Sequence, residues 1–138
     1  MARAGVSRLA GALLLALAAA CGRGPGPLAD TPGARLYVAN CLACHQADGA
    51  GVPGMQPPLA GTPVAVGDPA ELLGWGMYGR RPAALPAGVY HGVMPQFSYL
   101  ADAELATLLS WVRANFGNHA PPVTPDMVAA VRAAHAAH

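Results

Sequence analysis

Lysine is absent from this 138-residue chain, and only 11% of its residues carry charge. The charges form no long block and no basic patch, which argues against nucleic acid as a partner. The formal net charge of +1 becomes −1 once Arg3 and Arg8 are set aside, so no charge of one sign dominates. Alanine abundance and the missing lysine read as genomic bias rather than function. Strand signal is scarce, and there is no internal repeat. Cysteine is limited to three positions, and the pair among them has no second cysteine or histidine pair at zinc-ligand spacing. The one sustained apolar run, residues 9–20, is too short to span a bilayer comfortably. A folded core of roughly 85 residues is marginal alone, and a large apolar cofactor at its centre would help to stabilise it.

What the chain does contain is Cys41-Leu42-Ala43-Cys44-His45. A C-x-x-C-H run reads as a c-type haem attachment site: two thiols can form thioethers to the porphyrin vinyl groups, and the imidazole that follows can reach the iron. A redox C-x-x-C would follow a strand in a βαβ pattern, which is missing here. One covalent haem c is therefore the expected cofactor.

The N-terminal segment agrees. Arg3 and Arg8 form a basic region ahead of the apolar run, and Ala18-Ala19-Ala20 offers a small-residue cleavage site, so residues 1–20 read as a secretory signal. Export matches haem c, which is attached outside the bacterial cytoplasm. Residues 17–21 also resemble a lipobox whose leucine lies one position early. Cleavage before Cys21 would leave it as an acylated N-terminus, with Gly/Pro-rich residues 21–30 as a tether. The expected location is the bacterial periplasm, membrane-anchored if Cys21 carries lipid.

Helix signals follow. Thr31-Pro32 starts a helix expected to run through Cys44 or His45. Residues 52–66, rich in Gly and Pro, read as an irregular loop. Asp68-Pro69-Ala70-Glu71 starts a second helix ending near Gly79, weakened by Gly74 and Gly76. A long helix is expected over residues 102–116, with Leu105, Leu108, Leu109 and Val112 as its apolar stripe. Thr124-Pro125-Asp126 caps a short helix with Met127 and Val131 on one face. The fold class is all-α, three to five helices around one haem, with residues 31–118 as the haem domain and 119–138 as a tail.

His45 fills one axial position of an iron. For the other, Met55, Met77, Met94, Met127, His91, His119, His135 and His138 are candidates. Met55 is too near His45 in sequence to reach the opposite haem face easily, Met77 lies within a helix where packing is the usual role, and the late residues sit in the tail. Met94 is in a loop stiffened by Pro95, just before the closing helix. It is the preferred ligand, with His91 the runner-up. Methionine ligation gives a low-spin centre with a raised potential. Trp75, Tyr78 and Tyr90 are candidates for haem-edge contact, and Arg80 and Arg81 for neutralising propionates; packing or solvation is the ordinary role of each.

These residues resemble the class I cytochrome c family over residues 31–118. The likeness comprises Gly33 and Tyr37, the Cys41–His45 motif, Pro57-Pro58-Leu59-Ala60-Gly61, Gly92-Val93-Met94-Pro95-Gln96-Phe97, and Leu108 and Trp111. A closer likeness, carried by residues 115–124, is to the haem modules in cytochrome subunits of quinoprotein alcohol dehydrogenases. The resemblance implies that the Pro57 carbonyl orients His45, and that Gly33 lets the terminal helices cross with Tyr37 and Trp111 at the contact. Ala101 departs from the usual Ser or Thr cap of the last helix, and Gly74-Trp75-Gly76 from better helix formers.

The expected function is a carrier rather than an enzyme: a monohaem cytochrome passing single electrons between redox proteins, from a dehydrogenase donor to an oxidase or another cytochrome. The alternative is a tightly bound electron-transfer subunit of a dehydrogenase or terminal oxidase complex. A peroxidase or gas sensor would need an open iron position.

Overall fold

A computed structural model describes Leu28 and residues 30–137. The signal segment, Cys21 and nearly all of the tether lie outside the described residues. Six helices follow in order: α1 Pro32–Asn40, α2 Leu42–His45, α3 Pro63–Val66, α4 Pro69–Tyr78, α5 Asp102–Ala114 and α6 Pro125–Ala136. Among the described residues there is no strand, only an isolated antiparallel bridge between Val52 and Gln56. No described helix is long and apolar enough to cross a membrane.

Four helix starts share one chemistry, which was legible in sequence at Thr31, Asp68 and Thr124 and overlooked at Thr62 within the Gly/Pro-rich loop. Thr31, Thr62, Asp68 and Thr124 each accept a backbone N–H from the first helical turn, and each is followed by proline, whose missing donor costs nothing there. Helix α5 lacks that device. Ala101 has no side-chain acceptor, so the Glu104 carboxylate reaches back to the Ala101 N–H at 2.9 Å instead, and the helix begins at Asp102.

Three boundaries differ from the sequence expectation. The first helix does not run unbroken to His45: Cys41, at φ −123°, ψ −31°, separates α1 from α2. The loop over residues 52–66 contains the single-turn helix α3. Helix α5 stops at Ala114 rather than Phe116, because side chains take over its last carbonyls. Asn115 Nδ2 donates to Trp111 O at 2.7 Å and Asn118 Nδ2 to Val112 O at 2.9 Å, while Phe116 enters the left-handed region at φ +59°.

Helix α1 crosses α5, and α6 lies across α4 and α5. The crossing is close because Gly33 has no side chain: a Cβ there would sit 2.4 Å from Trp111 Cβ. Tyr37, Trp111 and Phe116 cluster around it with ring centroids 4.9–5.3 Å apart. The segment set apart in sequence as a tail packs into the same core. Val123, Val128 and Val131 are buried with Leu73, Met77, Leu105 and Leu108. The inward face of α6 is thus Val128 and Val131, and Met127 is exposed. Arg132 ties α6 down, donating to Asp102 Oδ1, Ser98 O and Leu100 O at 2.6–2.8 Å.

Candidate haem site

The turn from α1 into α2 presents Cys41, Cys44 and His45 along one crevice, which divides into two lobes. The smaller, about 70 Å³, is bordered by Cys41, Cys44, His45, Met94, Arg81 and Phe97 among others. The larger, about 340 Å³, runs along His45, Pro57, Leu59, Ala65, Leu72 and Met94. His45, Pro57, Trp75, Leu85, Tyr90 and Met94 border both, so the lobes are parts of one mostly apolar cleft, in the size range of about 300–1,000 Å³ common for cofactor sites.

His45 is buried, and its Nδ1 lies 3.0 Å from the Pro57 carbonyl oxygen. A carbonyl can only accept, so Nδ1 carries the proton and Nε2 keeps its lone pair. Burial lowers the imidazole's pKa, only partly opposed by the Pro57 bond, and so favours the neutral, coordinating form. The bond also sets the plane of the ring. Burial, with the Cys44 charge second, pushes the Cys41 thiol up to about 11. A redox C-x-x-C needs the opposite, a depressed thiol.

The loop bearing Pro57 is itself fastened. Asn118, fully buried, accepts from Gly61 N–H at 2.7 Å and donates to Leu59 O at 3.1 Å. Arg113, also buried, donates to Ala65 O, Gly67 O and Pro121 O at 2.7–2.9 Å, which satisfies a charge that would otherwise be costly to bury. Burial pulls its pKa down, with Asp68 opposing. Sequence reasoning missed both residues. Their partners lie up to 59 positions away, and no local pattern marks such a pairing.

The candidate sixth ligands separate by position. Met94 is half-buried on the cleft wall. Met77 is fully buried in the core, Met55 and Met127 are exposed, and so are His91 and His119. His135 stacks on Tyr78 at 3.7 Å, away from the cleft, and His138 lies outside the described residues. Of the three aromatics considered for haem contact, Trp75 and Tyr90 border the cleft and Tyr78 does not.

Among the described residues no group of three or more His, Cys, Asp or Glu side chains could hold a bare metal ion. The donors instead comprise two thiols, an imidazole and a thioether along an apolar slot, which fits a metal carried within a large apolar ring.

Comparison with known proteins agrees. The cytochrome c family matches residues 31–115. The chain is 38% identical over 94 residues to the cytochrome c subunit of the quinone alcohol dehydrogenase of Gluconobacter oxydans, covering 64% of this chain and 19% of that one. It is 36% identical over 96 residues to cytochrome c-552 of Thermus thermophilus, covering 66% and 64%. With the fructose dehydrogenase cytochrome subunit of Gluconobacter japonicus it shares 37% identity over 111 residues, 75% and 22% of the two chains. The chain thus spans about a fifth of the length of the dehydrogenase subunits it matches. With the attachment motif, the apolar cleft and the helical frame in agreement with that match, the chain belongs to the cytochrome c family, whose cofactor is covalently attached haem c.

Proposed function

We propose that the protein is a monohaem electron carrier acting outside the cytoplasm, with haem linked through Cys41 and Cys44 and the iron held between His45 and Met94. The observation that carries this reading is the meeting of all four side chains on one cleft, with the His45 ring oriented by the Pro57 carbonyl. Bound haem supplies reversible one-electron iron chemistry. The residues of the chain hold and tune it. His45 would offer Nε2 to the iron, with the Pro57 carbonyl strengthening that donation, Met94 would offer its thioether, and the apolar wall would keep water out. A carrier needs no substrate pocket and transforms nothing. Redox proteins are the partners, met through small transient interfaces. Cys21 would add a lipid anchor, which the intact mass of the native protein decides.

The test is spectroscopic. The ferric protein should show the near-infrared methionine–iron charge-transfer band, and Met94→Ala should lose it while keeping one covalent haem by mass. A Met94→Ala protein with an unchanged spectrum overturns the ligand assignment. A second reading, a durable electron-transfer subunit of a dehydrogenase complex, is favoured by the names of several relatives. Stable co-purification with a dehydrogenase would distinguish it from the free carrier.

A further inference from the structure

Met94 sits in a stretch with no helix or strand to hold it. Over residues 88–97, the only backbone N–H groups that find a carbonyl among the described residues are those of His91, Gly92 and Phe97. The side chains flanking the methionine, His91, Val93 and Pro95, are exposed, Val93 by 90%, so their packing gives the segment little support. Downstream it is fastened at Phe97, which is buried and donates its N–H to Gly76 O at 2.9 Å. Upstream, the His91 N–H donates to Gly54 O at 3.1 Å and the Gly92 N–H to Met55 O at 2.7 Å.

The turn that accepts these two bonds is itself closed. Val52 and Gln56 exchange N–H···O bonds of 2.9 and 3.0 Å, and the Gly51 N–H donates to the carbonyl of His45 at 3.1 Å. It leads directly into Pro57, whose carbonyl accepts from His45 Nδ1. Gly92 reaches this turn only because it has no side chain. A Cβ there would sit 2.6 Å from Met55 O and 2.8 Å from Gln56 Nε2. The Gln56 amide can swing aside, but the Met55 carbonyl is backbone and the acceptor of the Gly92 bond. Gln56, Gly92 and Met94 all border the smaller lobe of the cleft. Granted the haem reading proposed above, we infer that Gly92 is a positioning residue for the sixth ligand, fastening the Met94 loop to the turn that orients His45. Methionine is flexible and its neutral thioether a weak donor, so the rigidity of its loop decides how well it competes with a ligand from solution.

The experiment compares Gly92→Ala and Gly33→Ala with the wild type, all as haem-loaded ferric protein, by imidazole titration and the near-infrared methionine band. Gly92→Ala should keep one covalent haem but show a weaker band. It should bind imidazole about tenfold more tightly, since apparent affinity follows the fraction of iron free of methionine. Gly33→Ala strains the crossing of α1 and α5 and borders neither lobe of the cleft, so it should bind imidazole as the wild type does. A fully loaded Gly92→Ala protein with the wild-type band and imidazole affinity overturns the inference. An equal gain in affinity in Gly33→Ala also overturns it, by tracing the effect to general loosening. If Gly92→Ala does not mature, hydrogen exchange of the wild type decides. Coupling between loop and ligand is reciprocal, so displacing Met94 with imidazole should speed exchange of the His91 and Gly92 amides, and exchange unchanged by imidazole overturns the inference. A wild-type protein that carries haem but lacks the methionine band would instead sink the ligand assignment itself, before any substitution is made.

Discussion

Gly33 and Asn118 carry more of this architecture than their size suggests. An added methyl at position 33 meets Trp111 backed by two other rings, so Gly33→Ala should destabilise the haem-loaded protein by about 1–3 kcal/mol in denaturant melts. Asn118→Ala removes its bonds to Gly61 N–H, Leu59 O and Val112 O and should cost about 1–3 kcal/mol. Tyr37 predicts a pH effect. Burial foremost, then nearby negative charge, holds its phenol well above its ordinary range, while its hydroxyl donates to Gln46 O at 2.6 Å. The unfolded chain's phenol ionises near about pH 10 while the folded one stays protonated, so stability is full below that pH and falls as pH rises through it. Equilibrium unfolding at alkaline pH should show that decline, and Tyr37→Phe should flatten it.

At the scale of elements, α6 shows where packing outruns pattern. Its twelve residues read in sequence as a short helix on a tail, yet Val128 is fully buried and Arg132 reaches three acceptors around the start of α5. Arg132→Ala should lower the melting midpoint, by about 1–2 kcal/mol in stability, without altering the haem spectrum. The same contrast explains what was legible. The Cys41-Leu42-Ala43-Cys44-His45 motif was readable because its three reactive side chains lie within five residues, and three helix starts because a cap and its proline are neighbours. Met94, preferred in sequence among eight candidates through Pro95 and its loop, borders the cleft. The break at Cys41 and the early end of α5 were not readable. The latter is set by the Asn115 and Asn118 amides, which take the Trp111 and Val112 carbonyls at the end of the helix. Arg113 carried no mark in the sequence, because the carbonyls that it satisfies come from other segments of the chain.

For the whole molecule, near neutrality is the governing electrostatic fact. With a formal +1 over the full chain and no charged patch around the cleft beyond Arg81, long-range steering is weak. Electron exchange with a partner should therefore vary little with salt, in contrast to strongly charged pairs whose rates fall steeply. Stopped-flow rates across ionic strength would check this. The fastening of the Pro57 loop by Asn118 also ties the orientation of His45 to the end of the helical frame. The carbonyl that orients the ring sits on a loop whose Leu59 and Gly61 are held by a residue that follows α5. A chain cut before position 118 would keep residues 41–45 but lose the side chain that fastens this loop, and its histidine should be less firmly oriented.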